Sequence, residues 1–272
     1  GGNNTLTGNI TLLGATLRSN AGVLRVGGPI SGGATSLTLD GPGDGIIDGV
    51  ITVGPPALGD TLSKNGSGTW TLSSPNSLSG STGANGGTLI LAAAGQKLDS
   101  SSPLNMGGGN VRVTGATQSV NGLNLLSGGG IVDGGAAGLT VGAIARAPGA
   151  TVQFTGAVTT SSTNTNGILG GYATVGSNWA TVGGGAQLVA FGGYNDLASA
   201  TAVDTDNANR SLFHLATASL IRNSLKIVGG PGIDLGANRL QLTSGGLLYA
   251  SNIPGGIGGT GLLSGNTVSD DL

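Results

Sequence analysis

The chain has 272 residues, 57 of them Gly, a net charge of −2 and only 8% charged side chains. This balance argues against a nucleic-acid or anionic-membrane partner, which would require a basic surface. A mean hydropathy of +0.22 argues against disorder, which combines low hydrophobicity with high net charge.

No Gly-X-Y register holds, so the glycine content is not that of collagen. There is no Cys and no Glu, and all 12 acidic residues are Asp, a turn former. Only Lys64, Lys97 and Lys226 represent lysine, and this scarcity of good helix formers disfavours a helical fold. No run approaches the roughly 18 apolar residues of a membrane helix.

Along the chain, apolar residues recur in i, i+2 pairs, the period of a strand with one buried face. The pairs are Ile10/Leu12, Leu24/Val26, Leu37/Leu39, Trp70/Leu72, Leu89/Leu91, Val111/Val113 and Leu123/Leu125, then Leu139/Val141, Val152/Phe154, Leu225/Ile227, Ile233/Leu235, Leu240/Leu242 and Leu247/Tyr249. Gly-Gly, Asn-Gly, Asp-Gly, Ser-Gly and Pro-Gly turn signals separate them. Spacing is uneven: Leu89 follows Trp70 by 19 residues and Val111 follows Leu89 by 22. The pattern predicts an all-β chain, a β-solenoid whose coils stack like residues along the axis. One continuous solenoid over residues 1–272 is expected, with an irregular, loop-rich section about 159–210. Residues 208–224 hold the only tolerable helix pattern, but Thr and Ser interrupt it and strands are favoured.

Residues 66–90 read GSGTWTLSSPNSLSGSTGANGGTLI. Gly66, Gly68, Thr69, Trp70, Thr71, Leu72, Ser73, Asn76, Gly80, Thr82, Gly87, Thr88 and Leu89 give the segment a pattern that resembles the autotransporter-associated β-strand repeat (passenger-associated transport repeat). Departures are Ser74 for Gly, Ser77 for Thr, Leu78 for the corner Tyr and Ala84 for a β-branched residue. Segments 36–51, 167–182 and 223–248 resemble parts of long repeat-bearing surface proteins. The resemblance implies a right-handed parallel β-helix, bacterial export to the cell surface or extracellular space, and a role in secretion, adhesion or fibre formation. It brings no catalytic residues with it. The outer-membrane barrel of a classical autotransporter is not among these residues, so the expectation is a segment of something longer or another route of display.

Two Asp groups raise the question of Ca²⁺. Asp40, Asp44 and Asp48 stand four apart among glycines, a single echo of the nonapeptide repeat that binds Ca²⁺ between turns. Asp204 and Asp206 begin a loop like an EF-hand, but Ala208, Asn209 and Leu215 occupy positions that need a ligand, a Gly and a Glu. Turns and a polar loop are the preferred readings of both, and no cofactor is expected. A β-helix polysaccharide lyase or hydrolase would need paired carboxylates, for which Asp40 and Asp60, 20 residues apart, could meet one coil apart. His214 is the single His, no Gly-x-Ser-x-Gly elbow occurs, and Gly256, Gly258 and Gly261 satisfy Gly-x-Gly-x-x-Gly without a strand-to-helix context. No enzymatic activity is expected.

Tyr172, Trp179, Phe191 and Tyr194 are clustered in the irregular section. They could stack on glycans, contact a partner, or fill a widened core. The leading expectation is a structural unit of an extracellular rod, fibre or sheath, joined head-to-tail to copies of itself or to flanking repeats. The alternative is an autotransporter-like adhesin passenger binding glycans or surfaces through residues 160–210.

Overall fold

The structure, a computed structural model, describes residues 2–92, 94–95, 97–197, 206–210, 214–229, 232–250 and 256–265. Nearly every element is a strand, and the described residues contain no α-helix, only a short 3₁₀ turn at Gly184–Ala186. The chain is a parallel β-solenoid of about 11 turns. It divides into two compact units, residues 1–162 with 184–188, and residues 163–183 with 189–272.

In the first unit each coil passes through three faces in the same order. The first face stacks Asn4–Leu6, Val23–Val26, Asp44–Ile47, Thr69–Leu72, Thr88–Leu91, Asn110–Val113, Gly129–Asp133 and Thr151–Thr155. The second begins as the four-stranded sheet Ile10–Thr11, Ile30–Ala34, Ile51–Gly54 and Ser77–Leu78, and resumes as Gln118–Ser119, Leu139–Thr140 and Val158–Thr159. The third is a seven-stranded sheet from Ala15–Arg18 through Leu37–Asp40, Leu62–Lys64, Thr82–Ala84, Pro103–Met106 and Gly122–Leu125 to Ala143–Arg146.

Pairing is parallel and in register, so inward side chains form rows along the axis. One row runs Leu24, Gly45, Trp70, Leu89, Val111, Val132, Phe154. Its neighbour runs Val26, Ile47, Leu72, Leu91, Val113. Adjacent coils sit about 4.8 Å apart, so one large side chain needs a small one beside it. A Cβ on Gly45 would lie 2.3 Å from the Trp70 ring; the row holds Trp70 only because position 45 is Gly. The Gly66–Leu89 motif is one coil long: Trp70 and Leu89, its two anchors, are register partners.

Corners are tighter than faces. A Cβ on Gly49 would fall 1.9 Å from Gly28 O, and one on Gly28 would fall 2.1 Å from Gly8 O. Stacked corner backbones in this column therefore exclude any side chain. Another corner does the opposite. Between Ile51–Gly54 and Leu62–Lys64 the chain runs outward as Pro55-Pro56-Ala57-Leu58-Gly59-Asp60, with Leu58 92% exposed and open space around Gly59. Despite the extra residues, Leu62 still pairs with Leu37.

In the second unit a five-stranded parallel sheet holds Asn195–Asp196, Asn207–Arg210, Leu220–Ile227, Arg239–Tyr249 and Leu262–Ser264. His214–Leu215, Ile233–Asp234 and Ile257–Gly258 form a three-stranded sheet. The two long strands each turn a corner: pairing shifts between Arg222 and Ser224, where Leu240–Leu242 gives way to Gly246–Tyr249. Leu197, Ala208, Leu225, Ile227, Ile233, Leu235, Leu240 and Leu242 make the core. The helix pattern at 208–224 contains the strand segments expected there. Within the irregular section, Ala173–Val175 and Asn178–Val182 form an antiparallel hairpin.

Candidate functional site

The three Asp of the first group point to different partners. Asp40 Oδ2 pairs with Arg18 Nη1 at 2.7 Å, Asp48 Oδ2 with Arg25 Nε at 2.6 Å, and Asp44 Oδ1 accepts the Thr69 N–H at 2.8 Å. Asp204 lies outside the described residues. Asp206 is half-buried, and its carbonyl accepts the Asn223 N–H. Among the described residues no three His, Cys, Asp or Glu side chains gather.

The suggested meeting of Asp40 with Asp60 does not occur. Leu39 pairs with Lys64 and Leu37 with Leu62, which places Asp40 at the level of Asn65 and Asp60 at the level of Thr35. Asp60 instead lies across Gly83, its Oδ1 accepting Ser81 Oγ at 2.7 Å and Asn105 Nδ2 at 2.6 Å. Asn124 Nδ2 continues this chain of contacts to Asn105 Oδ1 at 2.8 Å.

Sequence reasoning missed what the three lysines do. All are buried. Lys64 occupies the inward row between Leu39 and Ala84. Its Nζ turns to the corner and donates to the carbonyls of Asn65, Gly66 (3.0 Å) and Gly86 (2.9 Å). Burial holds its pKa below the ordinary lysine value, while Asp40 and Asp44 pull it upward. Lys97 Nζ donates to Ala94 O and Gly95 O, and its N–H donates to Gln118 Oε1 one coil later; burial lowers its pKa too. Lysine's readiness to occupy low-dielectric sites when its donors are satisfied explains both. The signal available in the sequence was scarcity itself: three lysines in 272 residues.

The most chemically crowded place is the seam where the hairpin covers the outward face of the second unit's sheet. Alternation along Leu220–Ile227 sends Leu225 and Ile227 into the core and Ser224 and Lys226 outward, beneath the hairpin. Gly246, register partner of Ser224, provides a flat spot: Gly171 and the Trp179 ring both reach it. Lys226 Nζ donates to Asn178 Oδ1 at 2.6 Å and lies 5.2 Å from the centre of the Tyr194 ring. The Tyr194 hydroxyl oxygen accepts the Trp179 N–H at 2.9 Å, and Phe191 meets Tyr194 edge-on at 5.0 Å and 80°.

Burial lowers the Lys226 pKa. It raises that of Tyr194, partly offset by the Trp179 N–H. Trp179 is 3% exposed, and its Nε1 is buried without a partner among the described residues. Three of the four aromatics singled out thus come together. Tyr172 is half-buried, its ring next to Gly170.

No family model, no curated protein and no solved structure matches the chain.

Proposed function

We propose that this chain is a structural segment of a repeat-built rod, exported and exposed on a bacterial surface or outside the cell. The observation that carries the reading is the direction of its polar contacts. The pairs Arg18–Asp40, Arg25–Asp48, Arg112–Asp133 and Arg210–Asp196 each join one coil to the next. The Asn65–Asn85, Asn105–Asn124 and Thr140–Thr159 contacts run along the axis in the same way. Polar side chains in these ladders bond up and down the stack, so that neighbouring coils are joined by side chains as well as by backbone. The likeness of residues 66–90 to the autotransporter-associated repeat supports export. Strand edges that meet no further coil of this chain would pair with a second copy or with flanking repeats.

Antibodies to the chain should label intact cells of the source organism, and external protease should remove the label; labelling only after lysis overturns surface display. Concentrated protein should form end-to-end assemblies visible by electron microscopy. A monodisperse monomer by light scattering at the same concentration overturns self-assembly.

A glycan-binding adhesin is the second reading, favoured by the half-exposed Phe191 beside Tyr194. Trp179 is too buried to stack on a sugar. On this reading a glycan array gives hits that Phe191→Ala abolishes and Trp179→Phe does not; an array without hits sinks it.

A further inference from the structure

The Lys226–Asn178 contact has the ingredients of a covalent bond. A lysine amine becomes a nucleophile when it is desolvated and neutral, and Lys226 is 7% exposed beneath the hairpin. Its Nζ donates to Asn178 Oδ1 at 2.6 Å, which sets the amine against the side-chain amide it would attack. The Tyr194 ring lies beside Nζ, and its hydroxyl oxygen accepts the N–H of Trp179, the residue that follows Asn178. The chain has no Cys, so a bond of this kind would be its covalent staple, joining positions 48 residues apart.

We propose that Lys226 and Asn178 form an intramolecular isopeptide bond that clasps the hairpin to the solenoid sheet. The neutral ε-amine attacks Cγ of Asn178. The Nζ–Cγ bond forms as the Cγ–Nδ2 bond breaks, and one amine proton passes to the departing nitrogen, which leaves as ammonia. Nothing is oxidised or reduced, and no co-reactant is consumed.

The test is intact-mass spectrometry of the full chain, folded, incubated at mildly alkaline pH and then denatured. The expected mass is one ammonia below that of the sequence. Trypsin should leave Lys226 uncut and yield the peptide Ala147–Arg210 joined to Asn223–Arg239. That joined pair separates the bond from a cyclic imide at an Asn-Gly site, which also loses ammonia. Lys226→Arg and Asn178→Ala should each keep the full mass of their own sequence. Wild-type protein with a β-rich circular dichroism spectrum that keeps its full mass overturns the proposal. So does an ammonia loss that persists in Lys226→Arg.

Discussion

At the scale of single residues, stability rests on a few positions where the stack leaves no choice. Gly45 is one. Its φ lies outside the left-handed region, so an objection to Ala there comes from the Trp70 ring alone. Gly45→Ala should cost about 1–3 kcal/mol by overpacking, read as a lower urea midpoint. Adding Trp70→Leu should relieve the clash, because the smaller side chain leaves room for the new methyl; a double mutant worse than both singles would refute the row model.

Lys64 is another such residue. Lys64→Met leaves the Asn65, Gly66 and Gly86 carbonyls without their donor and should cost roughly 2 kcal/mol. The sign of its pH dependence follows from a lowered pKa. Between the folded value and the unfolded 10.5, the unfolded chain binds more protons, so the wild type gains stability as pH rises. The gap between wild type and Lys64→Met should therefore widen toward pH 10.5; a narrowing gap contradicts the assignment.

Asp99 works in the opposite direction. Burial opposes its charge. Against that, it accepts the Gly80 N–H (2.7 Å), Ser101 Oγ (2.7 Å), the Ser101 N–H (2.9 Å) and Ser102 Oγ (2.8 Å), and its pKa falls from 3.8 to about 2. Its contribution is present above the unfolded value and is lost as pH falls through the folded one. Asp99→Ala should cost roughly 2 kcal/mol at neutral pH, and the difference should vanish near pH 2 in denaturant titrations.

At the scale of strands and pairs, burial and register outweigh charge. Exposed ion pairs contribute about 0–1 kcal/mol, and the arginines of Arg18–Asp40, Arg25–Asp48 and Arg112–Asp133 are more than half exposed. Arg112→Ala should lower stability by less than about 1 kcal/mol, whereas Leu89→Ala in the fully buried row should cost about 2–5 kcal/mol.

The same hierarchy decides what was legible in the sequence. Leu24/Val26, Leu89/Leu91 and Leu240/Leu242 read as inward pairs because an apolar i, i+2 pattern records burial directly. The 19- and 22-residue steps from Trp70 to Leu89 to Val111 are true register steps. Leu247/Tyr249 read the same way, yet 37% and 41% of their surfaces are exposed, since periodicity does not reveal whether another coil covers a strand. Lys64, Lys97 and Gln118 occupy buried positions that no hydrophobic pattern reports. Lys64 and Gln118 depend on carbonyls brought together from adjacent coils, and Lys97 on those of Ala94 and Gly95 in its own coil. The seam is harder still, because it joins Asn178 on a hairpin to Lys226 on a strand, and nothing local to either residue announces the other. Asp40 and Asp60 misled for a related reason: a 20-residue separation resembles a coil, but that coil carries the Pro55–Asp60 excursion and steps from Leu39 to Lys64.

At the scale of the whole molecule, the unit of construction is the coil. Removing Val132 through Gln153 excises one coil and sets Phe154 beside Val111, Val132's own partner. The shortened chain should keep its mean-residue circular dichroism spectrum, with only a modest fall in melting temperature, because a solenoid's coils contact chiefly their neighbours. Removing only half as many residues would exchange inward for outward side chains and should leave a poorly folded product. Loss of the β signal after the full-coil deletion would refute this modularity.

The Pro55–Asp60 corner shows how the stack treats surplus chain: it is carried outward, while Leu62 remains beside Leu37. A foreign peptide spliced after Leu58 would be carried outward in the same way. Grafts at equivalent corners of successive coils would then stand at intervals fixed by the sheet, about 4.8 Å per coil. The first unit would serve as a ruler, graduated by its own backbone, along which cargo is mounted at chosen marks.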